Sequence, residues 1–175
     1  MHDYSIENIK NWVKESLESL AFTDKVLLNR RVKEECVNHR LARFLELSYT
    51  STFHDEFPAY LEVDLEYNKN VNEGPKMLEL EDGSLISIRP DIIVHDRSNN
   101  SSNILAIEAK FGSLRIGDRV KLAGLITEPY SYLFSLGVSY LPERNYFRVV
   151  LYCAGNNPMT FDVAKGGKMA KLSAK

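Results

Sequence analysis

The segment 104–111 (ILAIEAKF) constrains the fold most, because its residues separate cleanly into two faces if every second side chain points the same way. One face is fully apolar and consists of Leu105, Ile107, Ala109 and Phe111. The other face carries Glu108 and Lys110 after apolar residues that suit a buried strand. Burying charges without partners is costly. The sequence therefore predicts that further groups join this acid and base.

Composition limits the classes of protein to which the chain can belong. Its 175 residues correspond to about one domain, and 44% hydrophobic and 26% charged residues are ordinary globular values. Twenty-two basic and 24 acidic side chains give a formal charge of -2, which argues against nucleic-acid binding by bulk charge. A local basic groove remains compatible with this balance.

Several targeting and cross-linking features are missing from the sequence. No apolar run approaches the roughly 20 residues that span a bilayer, and the start, MHDYSIENIK, lacks the apolar centre of a signal peptide. Cys36 and Cys153 are the only cysteines, and neither belongs to a CxxC motif. We therefore expect a soluble cytoplasmic protein with no membrane partner, no disulfide framework and no structural zinc site.

Two helices are predicted first. Apolar residues recur at helical spacing between Ile6 and Leu20, and Ser5 is a suitable N-cap. A second helix is predicted from about Thr23 to Ser48, with an apolar stripe that includes Val37 and Leu41. Within a single domain, the divisions are an N-terminal helix over 1–22, a core over 23–163 and a basic tail over 164–175.

The remainder of the chain favours strands. Alternation predicts a strand over 57–67, and strands are also predicted over 77–80, 86–95, 104–111, 132–140 and 146–153. A polar loop over 96–103 separates two of these strands, and a helix is predicted over 118–127. This order predicts a mixed α/β fold with a central mixed sheet flanked by helices.

Asp91 is the residue expected to join Glu108 and Lys110. Pro90 cannot donate a ladder hydrogen bond, which indicates a bulge or a strand start directly before Asp91. Asp91 shares its face with His95. If the two strands pair as a hairpin across the polar loop, Asp91, Glu108 and Lys110 converge on one face.

Two carboxylates beside an ammonium predict a metal-dependent phosphodiester hydrolase. Mg²⁺, or Mn²⁺ in its place, prefers oxygen ligands, and here these are Asp91, Glu108 and the backbone carbonyl of Ala109. The ion activates a water and polarises the phosphate. Lys110 is expected to orient that water or to stabilise charge on phosphorus in the transition state.

The residues Pro90-Asp91 and Glu108-Ala109-Lys110 resemble the PD-(D/E)xK motif of the restriction-endonuclease-like nuclease superfamily. They are the only Pro-Asp and the only Asp/Glu-x-Lys in the chain. The resemblance covers roughly residues 30 to 140 and is closest to a bacterial, largely uncharacterised subgroup. It implies a restriction-endonuclease-like core and a Mg²⁺-dependent nuclease site. It also implies a metal-assisting role for Glu34, which shares the helical stripe of Val37 and Leu41.

Three further residues are secondary candidates, each with a structural alternative. Glu66 can face the site or lie on a solvated strand face. His95 can approach the site through its shared face with Asp91, or serve only as a structural residue. Lys121 can border a substrate groove on the helix that follows Lys110, or form a surface pair with Asp118.

Three functions remain open at this stage. The first is a DNA endonuclease with nucleic acid as its partner. The second is a nucleic-acid-binding or regulatory module with little hydrolytic activity, which the near-neutral charge favours. The third is an RNA-directed phosphodiesterase, which no residue distinguishes from the first. A homodimer is plausible, because cutting two strands with one site each requires two copies.

Overall fold

The computed structural model describes residues 4–69, 74–80 and 82–166, in which helices and strands combine into a mixed α/β architecture, as predicted. The helices are α1 (Ile6–Thr23), α2 (Lys25–Asn29), α3 (Glu34–Phe53) and α4 (Ile116–Leu125), with a short 3₁₀ turn at Asn100–Ser102. The strands are β1 (Glu62–Leu65), β2 (Met77–Glu79), β3 (Leu85–Ser87), β4 (Ile92–His95), β5 (Leu105–Phe111), β6 (Phe134–Tyr140), β7 (Tyr146–Tyr152) and β8 (Met159–Ala164).

Six strands form one mixed sheet in the order β1-β4-β5-β6-β7-β8. Only β5 and β6 are parallel, and α4 makes the crossover between them. The predicted hairpin is present, because β4 and β5 pair antiparallel with Ile92 opposite Ile107. Strands β2 and β3 form a separate two-stranded hairpin.

One face of the sheet packs against α1 and α3 and is apolar. Ser5 caps α1 by accepting a hydrogen bond from the Asn8 amide. Trp12 on α1 donates from Nε1 to the carbonyl of Leu45 on α3 at 2.8 Å. Residues of both helices join Ile107 of β5 in one buried cluster. Burial of this apolar surface stabilises the attachment of the two helices to the sheet.

The other face of the sheet is covered by α4 and the β2–β3 hairpin. Gly137 on β6 lets α4 approach, since a Cβ at this position would lie 2.9 Å from Cδ1 of Leu122. Gly124 on α4 similarly leaves room for Leu78 of the hairpin. This less extensively apolar face is the one on which Glu108 and Lys110 lie.

The prediction of one continuous second helix is wrong. The helix is divided into α2 and α3, because Arg31 adopts a left-handed conformation with φ 47° that a helix cannot continue through. The stripe that includes Val37 and Leu41 is buried as expected.

Two strand predictions also need correction, and one observed strand was missed. The strand over 57–67 contracts to β1, and Glu66 with φ 50° ends it. The strand over 86–95 divides into β3 and β4, which belong to different sheets and are separated by the segment containing Pro90. Strand β8 was not predicted. It pairs with β7 and leaves Thr160, Asp162 and Ala164 exposed.

No helix within residues 4–69, 74–80 and 82–166 is long and apolar enough to cross a membrane. Most of the predicted basic tail, from residue 167 onward, lies outside the described residues.

Candidate functional site

Asp91 occupies a fixed position at the start of β4. Its amide donates to the carbonyl of Ile107, and its own carbonyl accepts from the amide of Glu66. The Asp91 side chain turns toward β5, where Oδ2 accepts a hydrogen bond from the Ala109 amide at 2.7 Å. Sheet pairing on both sides therefore directs this carboxylate toward the end of β5 that carries Glu108.

Glu108 and Lys110 project from the same face of β5, as their spacing predicted. The Lys110 Nζ lies 3.5 Å from Oε1 of Glu108. Glu108 is only 5% exposed, whereas Lys110 remains half-buried. A buried carboxylate beside a partly accessible ammonium can contact a molecule that enters from solvent.

Helix α4 adds two charged residues to this pair. Asp118 is buried, and its Oδ1 lies 3.7 Å from the Lys110 Nζ. The Nζ of Lys121 lies 3.6 Å from Oε1 of Glu108. We refer to Asp91, Glu108, Lys110, Asp118 and Lys121 as the Asp91 cluster. In place of the surface pair with Asp118 that was one alternative for Lys121, Asp118 contacts Lys110 and Lys121 contacts Glu108.

Electrostatics distinguish the two central groups of this cluster. Burial raises the pKa of Asp91 to about 6, and repulsion from Glu108 and Glu34 adds to the rise. Burial alone would lower the pKa of Lys110, but the nearby carboxylates, Glu108 foremost, outweigh it and raise that pKa. Lys110 is therefore an ammonium at neutral pH, beside an Asp91 carboxylate that a cation would stabilise.

The cluster opens into a polar cleft of about 480 Å³. Its lining comprises Asn68, Ser87, Arg89, Asp91, Glu108 and Lys121. Arg89 and Lys121 are cationic side chains placed beside the two carboxylates. A cleft that joins carboxylates to cationic groups suits a phosphate bound together with a divalent cation.

Glu34 lies near the cluster through its position at the start of α3. Its Oε2 accepts a hydrogen bond from the amide of Phe111 at 2.5 Å, which attaches the helix to the end of β5. The carboxylate also contributes to the raised pKa of Asp91. The structure thus brings Glu34 to the predicted region, with one oxygen directed at the backbone.

Of the other secondary candidates, Glu66 lies beside the cleft and His95 lies away from it. Oε2 of Glu66 pairs with Nη1 of Arg89 at 3.3 Å. The Nε2 of His95 is 3.0 Å from Oδ2 of Asp64, and its ring packs edge-on against Tyr67. Arg97 also binds Asp64. We refer to Asp64, Tyr67, His95 and Arg97 as the Asp64 cluster.

The fit to a metal ion depends on how many protein ligands the ion requires. Among the residues that the structure describes, no three His, Cys, Asp or Glu side chains are grouped closely enough to hold a metal. Mg²⁺ commonly binds through one or two carboxylates and retains several waters. Asp91 and Glu108 satisfy that smaller requirement. Their mutual repulsion is of the kind that a divalent cation relieves.

Sequence reasoning missed Asp118 and Ser87 as members of the site. Asp118 stands in the first turn of α4, where an acidic residue is unremarkable, and only the crossover of α4 brings it to Lys110. Ser87 belongs to the β2–β3 hairpin, whose placement against α4 was not predicted.

Comparison with known proteins gives no match: no family model, curated protein or solved structure corresponds to the chain. The geometry of the Asp91 cluster and the chemistry of its residues are therefore the basis on which a function can be inferred.

Proposed function

We propose that this protein is a Mg²⁺-dependent hydrolase of nucleic-acid phosphodiester bonds, with a restriction-endonuclease-like core and DNA as its substrate. The observation that carries the proposal is the convergence of Asp91, Glu108 and Lys110 beside a polar cleft. The mixed sheet, with acidic residues and a lysine on two neighbouring strands, supports the resemblance to PD-(D/E)xK nucleases.

Each residue has a distinct role in this proposal. Asp91 and Glu108 would hold the cation, with the carbonyl of Ala109 as a further oxygen ligand. The cation would supply Lewis-acid activation of the phosphate and of a bound water. Lys110, held between Glu108 and Asp118, stabilises the negative charge that develops on the phosphoryl oxygens. Glu34 supports the site from α3 through its bond to the Phe111 amide.

The proposal is tested with supercoiled plasmid, single-stranded DNA and single-stranded RNA in Mg²⁺, Mn²⁺ or EDTA. We expect metal-dependent cleavage of DNA that Asp91→Asn and Lys110→Ala each reduce at least about a hundredfold. Asp96→Asn and Lys14→Ala are matched controls, because both residues lie outside the cleft, and they should cleave as the wild type does. Undiminished cleavage by either site variant would refute the assignment.

A second candidate function is nucleic-acid binding without hydrolysis, which the formal charge of -2 favours over a freely acting DNA enzyme. Metal binding in calorimetry and oligonucleotide binding without cleavage would support this alternative. Absence of cleavage, metal binding and oligonucleotide binding would remove both candidates. Cleavage of RNA alone would change the substrate and leave the site assignment in place.

A further inference from the structure

Two lysines contact the same oxygen of Glu108. The Nζ of Lys110 lies 3.5 Å and that of Lys121 lies 3.6 Å from Oε1. Both distances exceed those of a charge-assisted hydrogen bond, so neither contact is tight. A carboxylate oxygen approached by two ammonium groups has less capacity to bind a metal ion. A divalent cation bound to either oxygen of Glu108 offsets the negative charge of the carboxylate and so weakens its attraction for both lysines.

The two lysines differ in what else holds them. Lys110 also contacts Oδ1 of Asp118. The other carboxylate oxygen of Asp118, Oδ2, accepts a hydrogen bond from the Arg115 amide at 2.8 Å, which fixes the carboxylate at the start of α4. Among the described residues, Lys121 forms an ion pair with Glu108 alone. Lys121 also lines the polar cleft, whereas Lys110 does not. Without Glu108, Lys110 therefore keeps an ion-pair partner in Asp118, whereas Lys121 keeps none among the described residues.

We propose that Glu108 sequesters Lys121, and that Lys121 is released to bind a substrate phosphate when Glu108 becomes a metal ligand. This inference rests on the proposed function and deepens it, because it makes nucleic-acid affinity depend on the state of Glu108. The cleft already contains the exposed Arg89, so a released Lys121 adds a second cationic group facing the same space.

A metal-free double-mutant cycle tests the sequestration directly. Fluorescence anisotropy in EDTA measures binding of a labelled DNA oligonucleotide to wild type, Lys121→Met, Glu108→Gln and the double variant, over a range of salt concentrations. We expect Lys121→Met to change affinity less than about twofold in the wild-type background, because Glu108 offsets the charge of the lysine. The Glu108→Gln variant should bind the oligonucleotide roughly tenfold more tightly than wild type. The slope of its log affinity against log salt concentration should be steeper by the amount expected for about one additional phosphate contact.

The decisive comparison is between two lysine substitutions in the Glu108→Gln background. Lys121→Met should abolish the increase in salt slope that Glu108→Gln produces. Lys110→Met should leave most of that increase, because Lys110 still pairs with Asp118. Equal effects of Lys121→Met in both backgrounds would show that Glu108 does not sequester the lysine. No effect of Lys121→Met in the Glu108→Gln background would show that Lys121 does not bind phosphate. Either result overturns the inference.

A second measurement avoids substitution at Glu108, should that variant fold poorly. Ca²⁺ added to wild type should increase oligonucleotide affinity, and Lys121→Met should lose most of the increase. No increase, or an increase of equal size in both proteins, overturns the inference. Cleavage in Mg²⁺ is scored separately. Cleavage without the lysine effect removes only this inference, and the lysine effect without cleavage removes only the hydrolytic function.

Discussion

Two clusters of charged residues lie on or beside the neighbouring strands β1, β4 and β5. They differ in how closely their charged groups are paired. In the Asp64 cluster, Arg97 binds Asp64 through two hydrogen bonds of 2.8 and 2.5 Å, and His95 adds a third contact at 3.0 Å. In the Asp91 cluster, the ion pairs measure 3.5 to 3.7 Å. The first cluster has the geometry of strong charge-assisted bonds, and the second does not.

The pKa values of the two aspartates differ in the same sense. Hydrogen bonds from Arg97 lower the pKa of Asp64, whereas burial raises the pKa of Asp91 to about 6. A carboxylate satisfied within the chain contributes to folding and gains little from a ligand. A buried carboxylate with a raised pKa costs folding energy and gains from a cation. The comparison therefore favours the Asp91 cluster as the functional one and the Asp64 cluster as a structural one.

The largest expected effect comes from breaking the Asp64 cluster. Asp64→Ala removes the closest partner of Arg97 and the partner of the buried His95, and we expect it to lower the free energy of unfolding by about 2 to 3 kcal/mol. Urea denaturation followed by circular dichroism measures the change. The matched control is Asp162→Ala, which removes a two-bond pair with Arg148 on the surface, where both side chains are exposed. The control should cost under about 1 kcal/mol. Equal losses in the two variants would contradict a structural role for the Asp64 cluster.

The Asp91 cluster should respond to substitution with the opposite sign. Because the pKa of Asp91 rises from 3.8 to about 6 on folding, the native state holds more protons between these values. Stability therefore decreases as pH rises through this window, and ionised Asp91 opposes folding above it. Asp91→Asn should stabilise the metal-free protein by up to about 2 kcal/mol above pH 6 and by little near pH 4.

Urea denaturation of both proteins in EDTA at pH 4, 5, 6 and 7 tests this sign. Asparagine keeps an oxygen for the Ala109 amide, so the comparison isolates the charge. Asp96→Asn is the control, since hydrogen bonds from Ser98 lower the pKa of that exposed carboxyl. It should give no stabilisation at any of these pH values. A destabilised Asp91→Asn at pH 7 would mean that Asp91 is well paired without metal.

The fold was predictable where a pattern is local and was missed where long-range contacts decide. Parity along β5 and the polar loop before it were sufficient for the β4–β5 hairpin. The interruption between α2 and α3 at Arg31 carries no Gly or Pro signal, because its left-handed backbone depends on surrounding contacts. Strand β8 was missed although Met159, Phe161 and Val163 alternate with exposed residues, because the run is short and leads directly into a basic segment that contains glycine.

In the candidate site too, some contacts follow from local strand pattern and others depend on long-range packing. Asp91, Glu108 and Lys110 follow from strand parity, since a hairpin brings them together whatever the rest of the fold does. The contact of Asp118 with Lys110 requires α4 to cross over β5, and that packing depends on Gly137 opposite Glu108. His95 shares a face with Asp91, but its pairing with Asp64 depends on the register of β1 against β4.

The smallest expected effect concerns an unsatisfied hydroxyl beside the Asp64 cluster. The hydroxyl of Tyr132 is the buried side-chain polar atom that has no hydrogen-bond partner among the described residues, and it lies near Tyr67 and Asp64. An unsatisfied buried hydroxyl costs about 1 kcal/mol or more, so Tyr132→Phe should stabilise the protein by about that amount. Its neighbour Tyr130 provides the matched control, because that hydroxyl donates to the Met77 carbonyl at 2.7 Å.

Tyr130→Phe should therefore destabilise the protein by about 1 kcal/mol, opposite in sign to Tyr132→Phe. Thermal and urea denaturation of the two single variants measure both changes with the same aromatic ring retained. A loss of stability in Tyr132→Phe as large as that in Tyr130→Phe would mean that the Tyr132 hydroxyl does have a partner. Opposite signs would show that the Tyr132 hydroxyl is unsatisfied and that the Tyr130 hydroxyl is paired. No such gain is expected from removing any lysine of the Asp91 cluster, because each lysine there offsets a buried carboxylate.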